Sequence, residues 1–285
     1  MGQLFRIFAT SFLTQSYKNG KYANPAVIAH FLVLQNFLKM LRGSLLIFLV
    51  LCFLEATSTF KIPSYIKPCS RSAPDFEQCC LTNGRAALPF ILKGDKKWGI
   101  PRMLPLGIPR INVNAGNNFN ILLTDVLVYG LDSADLKQVK IDTKNKKIML
   151  KVNIPSLELK GNYIIDGKIM VLPIKGNGTI EISAKGGKYS YNMEYGLQNI
   201  KGEEYLLLTD KDKLDFKLDG LRFKLNNLFD GDQKLGDQMN NFLNENWEEV
   251  LNEFGLPISE TVRSIGRSIA SAYFRKSPYN ELILE

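Results

Sequence analysis

Three cysteines, Cys69, Cys79 and Cys80, lie close together in a chain of 285 residues. A fourth, Cys52, stands upstream, and His30 is the single histidine. This inventory excludes a good deal of chemistry. A two-cysteine, two-histidine zinc finger, a facial triad and an HExxH protease each need at least two histidines. A Ser-His-Asp triad would need His30 as its base. Glu203-Glu204 and Glu248-Glu249 are the carboxylate pairs available for acid–base work. Nothing places them at glycosidase separation, and paired carboxylates are common on solvated faces. Gly176-Asn177-Gly178 looks like a phosphate loop only superficially. It leads into Thr179-Ile180-Glu181-Ile182, a strand pattern that offers no helix N-terminus to a phosphate. The reading is therefore of no enzyme, with no catalytic residue, no metal site and no cofactor.

The first sixty residues differ from the rest. Residues 45–54, LLIFLVLCFL, are unbroken apolar sequence, preceded by Arg42 and followed by Ala56-Thr57-Ser58. That is the basic, apolar and small-residue order of a secretory signal, with cleavage expected after Ser58. Ten apolar residues span about 15 Å of helix, half of a hydrocarbon core, so no stable membrane span is expected after cleavage. Residues 1–39 make an unusually long upstream extension, and Met40 would serve as a conventional start. The formal charge of the whole chain is +8; residues 59–285 carry 31 basic and 27 acidic side chains, or +4, and no histidine. Lys137, Lys140, Lys144, Lys146, Lys147 and Lys151 are concentrated in one stretch. With so mild a net charge they read as the solvated rim of two strands and their turn, and no nucleic-acid partner is expected.

Secretion favours oxidised cysteines. Cys69 and Cys79 bracket a short loop containing Pro74, a plausible disulfide ring. Cys80 is left as an alternative partner, a buried thiol or an intermolecular link.

The elements that would position these groups follow from periodicity. From 111 to 228 the dominant period is two, as in Phe119, Ile121, Leu123 and in Tyr189, Tyr191, Met193, Tyr195. Asp166-Gly167, Gly186-Gly187 and Asp219-Gly220 carry two-residue hairpin chemistry. The last predicts that Leu214, Phe216 and Leu218 pair with Leu221, Phe223 and Leu225 on one face, leaving Asp215, Lys217, Arg222 and Lys224 on the other. Short connections predict a mainly antiparallel sheet. After Asp230-Gly231 the spacing changes to three and four through Leu235, Met239, Leu243, Trp247, Val250 and Phe254. Gly255 and Pro257 should interrupt this helix, and Ile258, Val262, Ile265 and Ile269 resume it. About 40 residues of helix would extend roughly 60 Å, too long for a small flat sheet, so a long curved sheet must wrap it. A further helix is expected over 75–88, interrupted at Asn83-Gly84 and ended by Pro89. Residues 93–109, rich in Gly and Pro, read as irregular or extended.

Several motifs then coincide in order and spacing. They are residues 62–69 (IPSYIKPC) with Cys79 ten residues on, Gly99-Ile100-Pro101, and Gly161-Asn162-Tyr163 leading to 172–178 (LPIKGNG). Near the end come 227–231 (NLFDG), 242–247 (FLNENW) and Pro278-Tyr279. Over about 62–285 the chain resembles the insect juvenile-hormone-binding and takeout family of secreted lipid carriers. Leu104 before Pro105, where the family often has an acidic residue, and the extra thiol of Cys80 depart from it. The body also lacks the second cysteine pair of the hormone-binding branch, so the takeout-like branch is the better match.

The resemblance implies an α+β fold: a long C-terminal helix wrapped by a strongly curved, mainly antiparallel β-sheet enclosing an elongated hydrophobic tunnel, as one domain over 59–285. It implies a secreted, monomeric carrier of a lipophilic small molecule, juvenile-hormone-like or fatty-acid-like. The alternative is a membrane-surface or host-defence lipid-binding protein of the same superfold. Phe119, Leu123, Tyr163, Met170, Leu172, Tyr189, Tyr191, Met193, Phe216, Phe223, Met239 and Phe242 are the candidate ligand-lining residues. Each alone suits an ordinary core; together, given the resemblance, they imply a lining wall. Methionines would add adaptable surface, and Tyr163, Tyr189 and Tyr191 could donate to a ligand's polar end. Asn177-Gly178-Thr179 is a glycosylation sequon.

Overall fold

The computed structural model describes residues 62–114 and 119–285. His30, Cys52, the apolar run at 45–54 and the cleavage position after Ser58 lie outside the described residues. The fold is α+β: a curled antiparallel half-barrel with a long helical segment at its C-terminal end.

Two strands form the spine. β5 (Lys147–Ile169) and β6 (Leu172–Ile200) pair antiparallel along the whole of β5. Before them come β1 (Cys69–Ser70), α1 (Phe76–Lys93), β2 (Leu106–Asn114), β3 (Phe119–Tyr129) and β4 (Asp135–Asp142). After them come β7 (Glu203–Leu208), β8 (Lys213–Lys217), β9 (Gly220–Leu225), α2 (Gln233–Glu245), α3 (Trp247–Phe274), α4 (Tyr279–Leu282) and β10 (Ile283–Leu284). One edge of the spine carries β4 and, further along, β3 with β2 outside it; the other carries β7, β8 and β9 in succession. β1 pairs in parallel with β10, which brings the end of the chain beside the Cys69 loop.

The turn chemistry of the sequence is used differently from the expectation. Asp166-Gly167 lies inside β5, and the true turn is Met170-Val171. Gly186-Gly187 lies inside β6. Asp219-Gly220 does not close a hairpin: β8 and β9 both pair antiparallel with β6, so they run end to end as one interrupted strand. The faces nevertheless alternate as the sequence requires, since Leu214, Phe216, Leu218, Leu221 and Phe223 are half-buried, Leu225 is buried, and Asp215, Lys217, Arg222 and Lys224 are exposed.

These glycines mark a transverse crease. On β6 the inward residues are even-numbered up to Ile182 and Ala184, then odd-numbered from Tyr191 to Tyr195. On β5 they are even from Ile148 to Ile154, then odd from Leu159 to Ile169. β8 and β9 change in the same place, between Leu218 and Leu221. The β5–β6 register is unshifted across the change, with Ile154 opposite Gly187 and Ser156 opposite Lys185. All three strands therefore reverse face together at Pro155-Ser156, Lys185-Gly186 and Asp219-Gly220. Without that reversal, one half of each strand would turn its apolar residues outward. Gly186 has φ +62°, and a Cβ there would meet the Asp219 carboxylate; Asp219 N–H in turn donates to the Lys185 carbonyl at 2.8 Å.

The helical expectations are corrected at their boundaries. α1 runs through Asn83-Gly84 and Pro89 and stops at Gly94. A Cβ on Gly84 would come within 2.9 Å of the Leu136 side-chain tip. α3 likewise runs through Gly255 and Pro257. The break in the C-terminal helical segment falls at Asn246, φ −113°, whose side chain donates back to the Phe242 carbonyl at 2.7 Å. Asp232 caps α2 by accepting from Leu235 N–H at 3.0 Å.

Three apolar clusters hold the chain together. The first joins β3, the distal halves of β5 and β6, α2 and the start of α3, through Tyr163, Ile165, Ile174, Met239, Leu243 and Phe254. The second joins the proximal half of the spine, β7, α4 and the end of α3, through Ile148, Met193, Tyr195, Leu206 and Tyr279. The third surrounds Trp98 and Tyr273. The free edge of β9 is closed by side chains instead of a strand. Asn244 accepts from Phe223 N–H at 2.7 Å and donates to the Phe223 carbonyl at 2.9 Å. Asn240, one helical turn earlier, does the same for Leu225 at 2.8 and 2.9 Å. Two amides at i, i+4 thereby imitate a neighbouring strand and blunt the edge.

Gly186→Ala is expected to lower stability by about 1–3 kcal/mol in urea unfolding, through left-handed backbone and the Asp219 contact. Gly220→Ala, which meets nothing within 4 Å, is expected to stay within about 1 kcal/mol. Asn244→Ala should cost about 2 kcal/mol and accelerate hydrogen exchange at the Phe223 amide, because both of its backbone groups lose their partner.

Candidate ligand-binding interior

The two ends of the half-barrel hold buried cores, and between them the inward side chains are only half-buried. Four rows of inward residues cross β5, β6 and β8 or β9 on either side of the crease. They are Leu150–Tyr191–Leu214, Val152–Tyr189–Phe216, Leu157–Ala184–Leu221 and Leu159–Ile182–Phe223. All twelve side chains are half-buried; none is buried and none is exposed. The helix above them matches: α3 buries Val250, Phe254 and Tyr273, and nothing between Phe254 and Tyr273. Sixteen residues separate Phe254, in the first cluster, from Ala270, against the second. That is about 24 Å of helix, longer than the roughly 15 Å of hydrocarbon in one bilayer leaflet. An apolar surface of this length, walled by dry cores at both ends, suits an elongated apolar molecule.

Polar groups flank the rows on one side, where α3 is fastened to β8. Ser259 Oγ donates to the Leu214 carbonyl at 2.6 Å. Tyr191 Oη donates to Asp212 Oδ2 at 2.6 Å. Arg263 and Arg267, one turn apart on α3, both pair with Asp212. Burial pushes the Tyr191 phenol above its ordinary range, and the two guanidiniums oppose that shift. Gly266 lies against the Tyr191 ring, where a Cβ would come within 3.3 Å.

The sequence-predicted residues divide by place. Tyr189, Tyr191, Phe216 and Phe223 lie in the half-buried rows, with Tyr189 and Phe216 stacked at 6.1 Å. Phe119, Leu123, Tyr163 and Met239 are buried in the first cluster, with Leu172 and Phe242 packed against it. Met193 is buried in the second. Met170 is misplaced by the sequence reading: it sits on the exposed turn between β5 and β6, with φ +56°, because the strands extend past Asp166-Gly167. Tyr163 Oη donates to the Asn226 carbonyl at 2.9 Å, and burial raises its pKa to about 12. Leu150, Val152, Leu157, Leu159, Ile182, Ala184, Leu214 and Leu221 were not among the candidates. Their signal was strand alternation, which had already put Leu214 and Leu221 on one face with Phe216 and Phe223.

The other motifs are explained locally. Gly176 and Gly178 lie within β6, not between two strands. They admit the crossing segment 226–228; a Cβ on Gly178 would meet the Asn226 carbonyl oxygen. Asn177 is exposed. The six lysines between 137 and 151 are exposed on β4, β5 and their turn, and both glutamate pairs are exposed. Among the described residues, no group of three or more His, Cys, Asp or Glu could hold a metal ion, and no helix is long and apolar enough to cross a membrane.

Cys69 and Cys79 form a disulfide that ties the start of the described chain to α1, and Cys80 remains a free thiol.

A model of the family described as haemolymph juvenile hormone binding protein matches residues 47–284. The chain belongs to this family. Family members are carriers of lipophilic ligands, and takeout-like proteins are included among them. Two curated relatives are the circadian clock-controlled protein daywake of Drosophila yakuba and of Drosophila melanogaster. The first is 27% identical over 231 residues, 77% of this chain and 87% of the relative. The second is 27% identical over 244 residues, 81% of this chain and 91% of the relative. Among solved structures, Takeout 1 of Epiphyas postvittana is similar with a TM-score of 0.69 and 26% identity, over 77% of this chain and all of that one. The half-barrel and long C-terminal helix are thus the takeout-like fold.

Burial, and secondarily the carboxylate of Glu77, push the Cys80 thiol up to about 11. Raised pKa means a neutral, unreactive thiol at physiological pH. Alkylation by iodoacetamide, followed on the Cys80 peptide by mass spectrometry, is expected to keep rising through pH 10. An unperturbed thiol levels off about two units lower.

Proposed function

We propose that this family member is a secreted, monomeric carrier that holds one lipophilic small molecule along the four half-buried rows beneath α3. The observation that carries the reading is the half-buried middle. Apolar side chains line β5, β6, β8 and β9 there, and no side chain of α3 between Phe254 and Tyr273 is buried against them. The family description, which names juvenile hormone binding in haemolymph, supports the ligand class and the compartment. The apolar run at 45–54 and the disulfide support export, and Asn177 on the exposed outer face is offered as a glycosylation site.

Affinity would come chiefly from apolar burial. A ligand of about 20 heavy atoms at about 0.3–0.5 kcal/mol per atom gains roughly 6–10 kcal/mol, which corresponds to dissociation constants between tens of micromolar and tens of nanomolar. Ala184 is the smallest side chain in the rows and lies next to the crease. Ala184→Trp adds bulk to the rows at a residue that belongs to neither core cluster. It is expected to weaken uptake of the apolar fluorophore N-phenyl-1-naphthylamine at least tenfold, with unfolding stability retained. Non-saturable fluorophore binding by the wild-type protein, or undiminished uptake by a folded Ala184→Trp variant, would sink the assignment.

A further inference from the structure

The polar seam beside the rows is not balanced in charge. Asp212 has a side chain only 2% exposed, and it faces two guanidiniums that are 28% and 30% exposed. It accepts from Tyr191 Oη, from Arg263 Nη1 at 2.9 Å and from Arg267 Nη2. Arg263 Nη1 is further occupied by the carbonyls of Asp210 and Asp212, at 3.4 and 3.3 Å. Arg267 Nε is different: it is buried and has no acceptor among the described residues. One carboxylate against two arginines leaves a net positive charge, partly withdrawn from water, with a donor unused.

A desolvated cation with an unsatisfied N–H is costly unless an anion or strong acceptor meets it. The exposed lysines of β4 and β5 carry no such cost, because water solvates them. The seam also adjoins the apolar rows directly, since Tyr191 lies in the row with Leu150 and Leu214 and bonds to Asp212 through its hydroxyl. An apolar tail and an anionic end would therefore be accommodated by neighbouring parts of one surface. A guanidinium suits a carboxylate, which it can engage through parallel N–H groups.

Resting on the carrier reading above, we propose that Arg267, with Arg263 beside it, binds the carboxylate of an amphipathic lipid whose tail lies along the half-buried rows. The preferred ligand class is then a long-chain carboxylic acid over its neutral ester or alcohol. Asp212 and Tyr191 are positioning residues, holding the arginines toward the rows.

The experiment is competition at pH 7.4 between N-phenyl-1-naphthylamine and each of hexadecanoic acid, its methyl ester and hexadecan-1-ol. In the wild-type protein the acid should displace the fluorophore about tenfold more effectively than the ester or the alcohol, the discrimination expected of a charge-assisted hydrogen bond. Arg267→Gln should erase that preference and leave displacement by the ester within about twofold of wild type, as expected when only the charged contact is lost. Arg267→Lys is the second variant, since it keeps the charge over Asp212. It should reduce the preference to about threefold, because the forked donor is gone. Equal displacement by acid and ester in the wild-type protein would overturn the anionic-end assignment and leave carriage intact. Equal weakening of acid and ester in Arg267→Gln would overturn it too. Failure of all three lipids to displace the fluorophore would overturn the carrier reading itself.

Discussion

The crease across the β5–β6 spine is the constraint on which the architecture depends. A strand presents alternate residues to opposite faces, so a 29-residue strand such as β6 could pack one continuous interior only while its pattern held. Here the pattern reverses halfway. The reversal is shared by β5, β6 and the β8–β9 line at the same level, so register is preserved and both halves face inward. Gly186 permits the backbone turn, Asp219 lies against it, and Pro155 occupies the matching place on β5. The sheet bends around α2 and α3 without losing the hydrogen-bonded spine.

That arrangement also decides where the interior is dense. At one end α2 is sewn to β9 by Asn240 and Asn244 and buries Met239 and Leu243. At the other, Tyr279 and Ile283 pack on β7 and the spine, and the β1–β10 pairing fixes the terminus beside the disulfide. Between these anchors α3 spans the crease with no buried side chain over about five turns. Each partly exposed Leu or Phe there forfeits part of its burial energy. Two anchored ends and a half-buried middle are the layout expected of the proposed carrier, and the polar seam at Asp212, Arg263 and Arg267 lies along one side of it.

Much of the fold was legible in the sequence. Strand alternation, the change of period after Asp230-Gly231 and a helical segment too long for a flat sheet together specified a curved sheet around a long helix, and the family motifs agreed. The failures share a cause. Gly and Asp-Gly were read as turns because local chemistry favours turns there, yet the same residues allow a strand to reverse face when a long partner supplies its hydrogen bonds. Pro89 was read as a helix end and Pro257 as an interruption, yet both helices run through them. Of the residues that alternation and the resemblance together named as a lining wall, Tyr189, Tyr191, Phe216 and Phe223 lie in the half-buried rows. Their row partners Leu150, Val152, Leu159, Ile182 and Leu214 were not named, and neither was the Leu157–Ala184–Leu221 row, because cross-strand partners follow only from the register. Asp212, Arg263 and Arg267 carried no sequence signal beyond the i, i+4 spacing of the two arginines.

The central claim is that a lipid lies in the middle of the half-barrel. Photo-crosslinking with a long-chain diazirine fatty acid, followed by peptide mapping, addresses it most directly. Labelling should fall on 150–159, 182–191, 214–223 and the facing part of α3 between 255 and 269. Labelling confined to exposed apolar positions outside these segments, such as Phe90, Val171 and Leu207, would contradict the account.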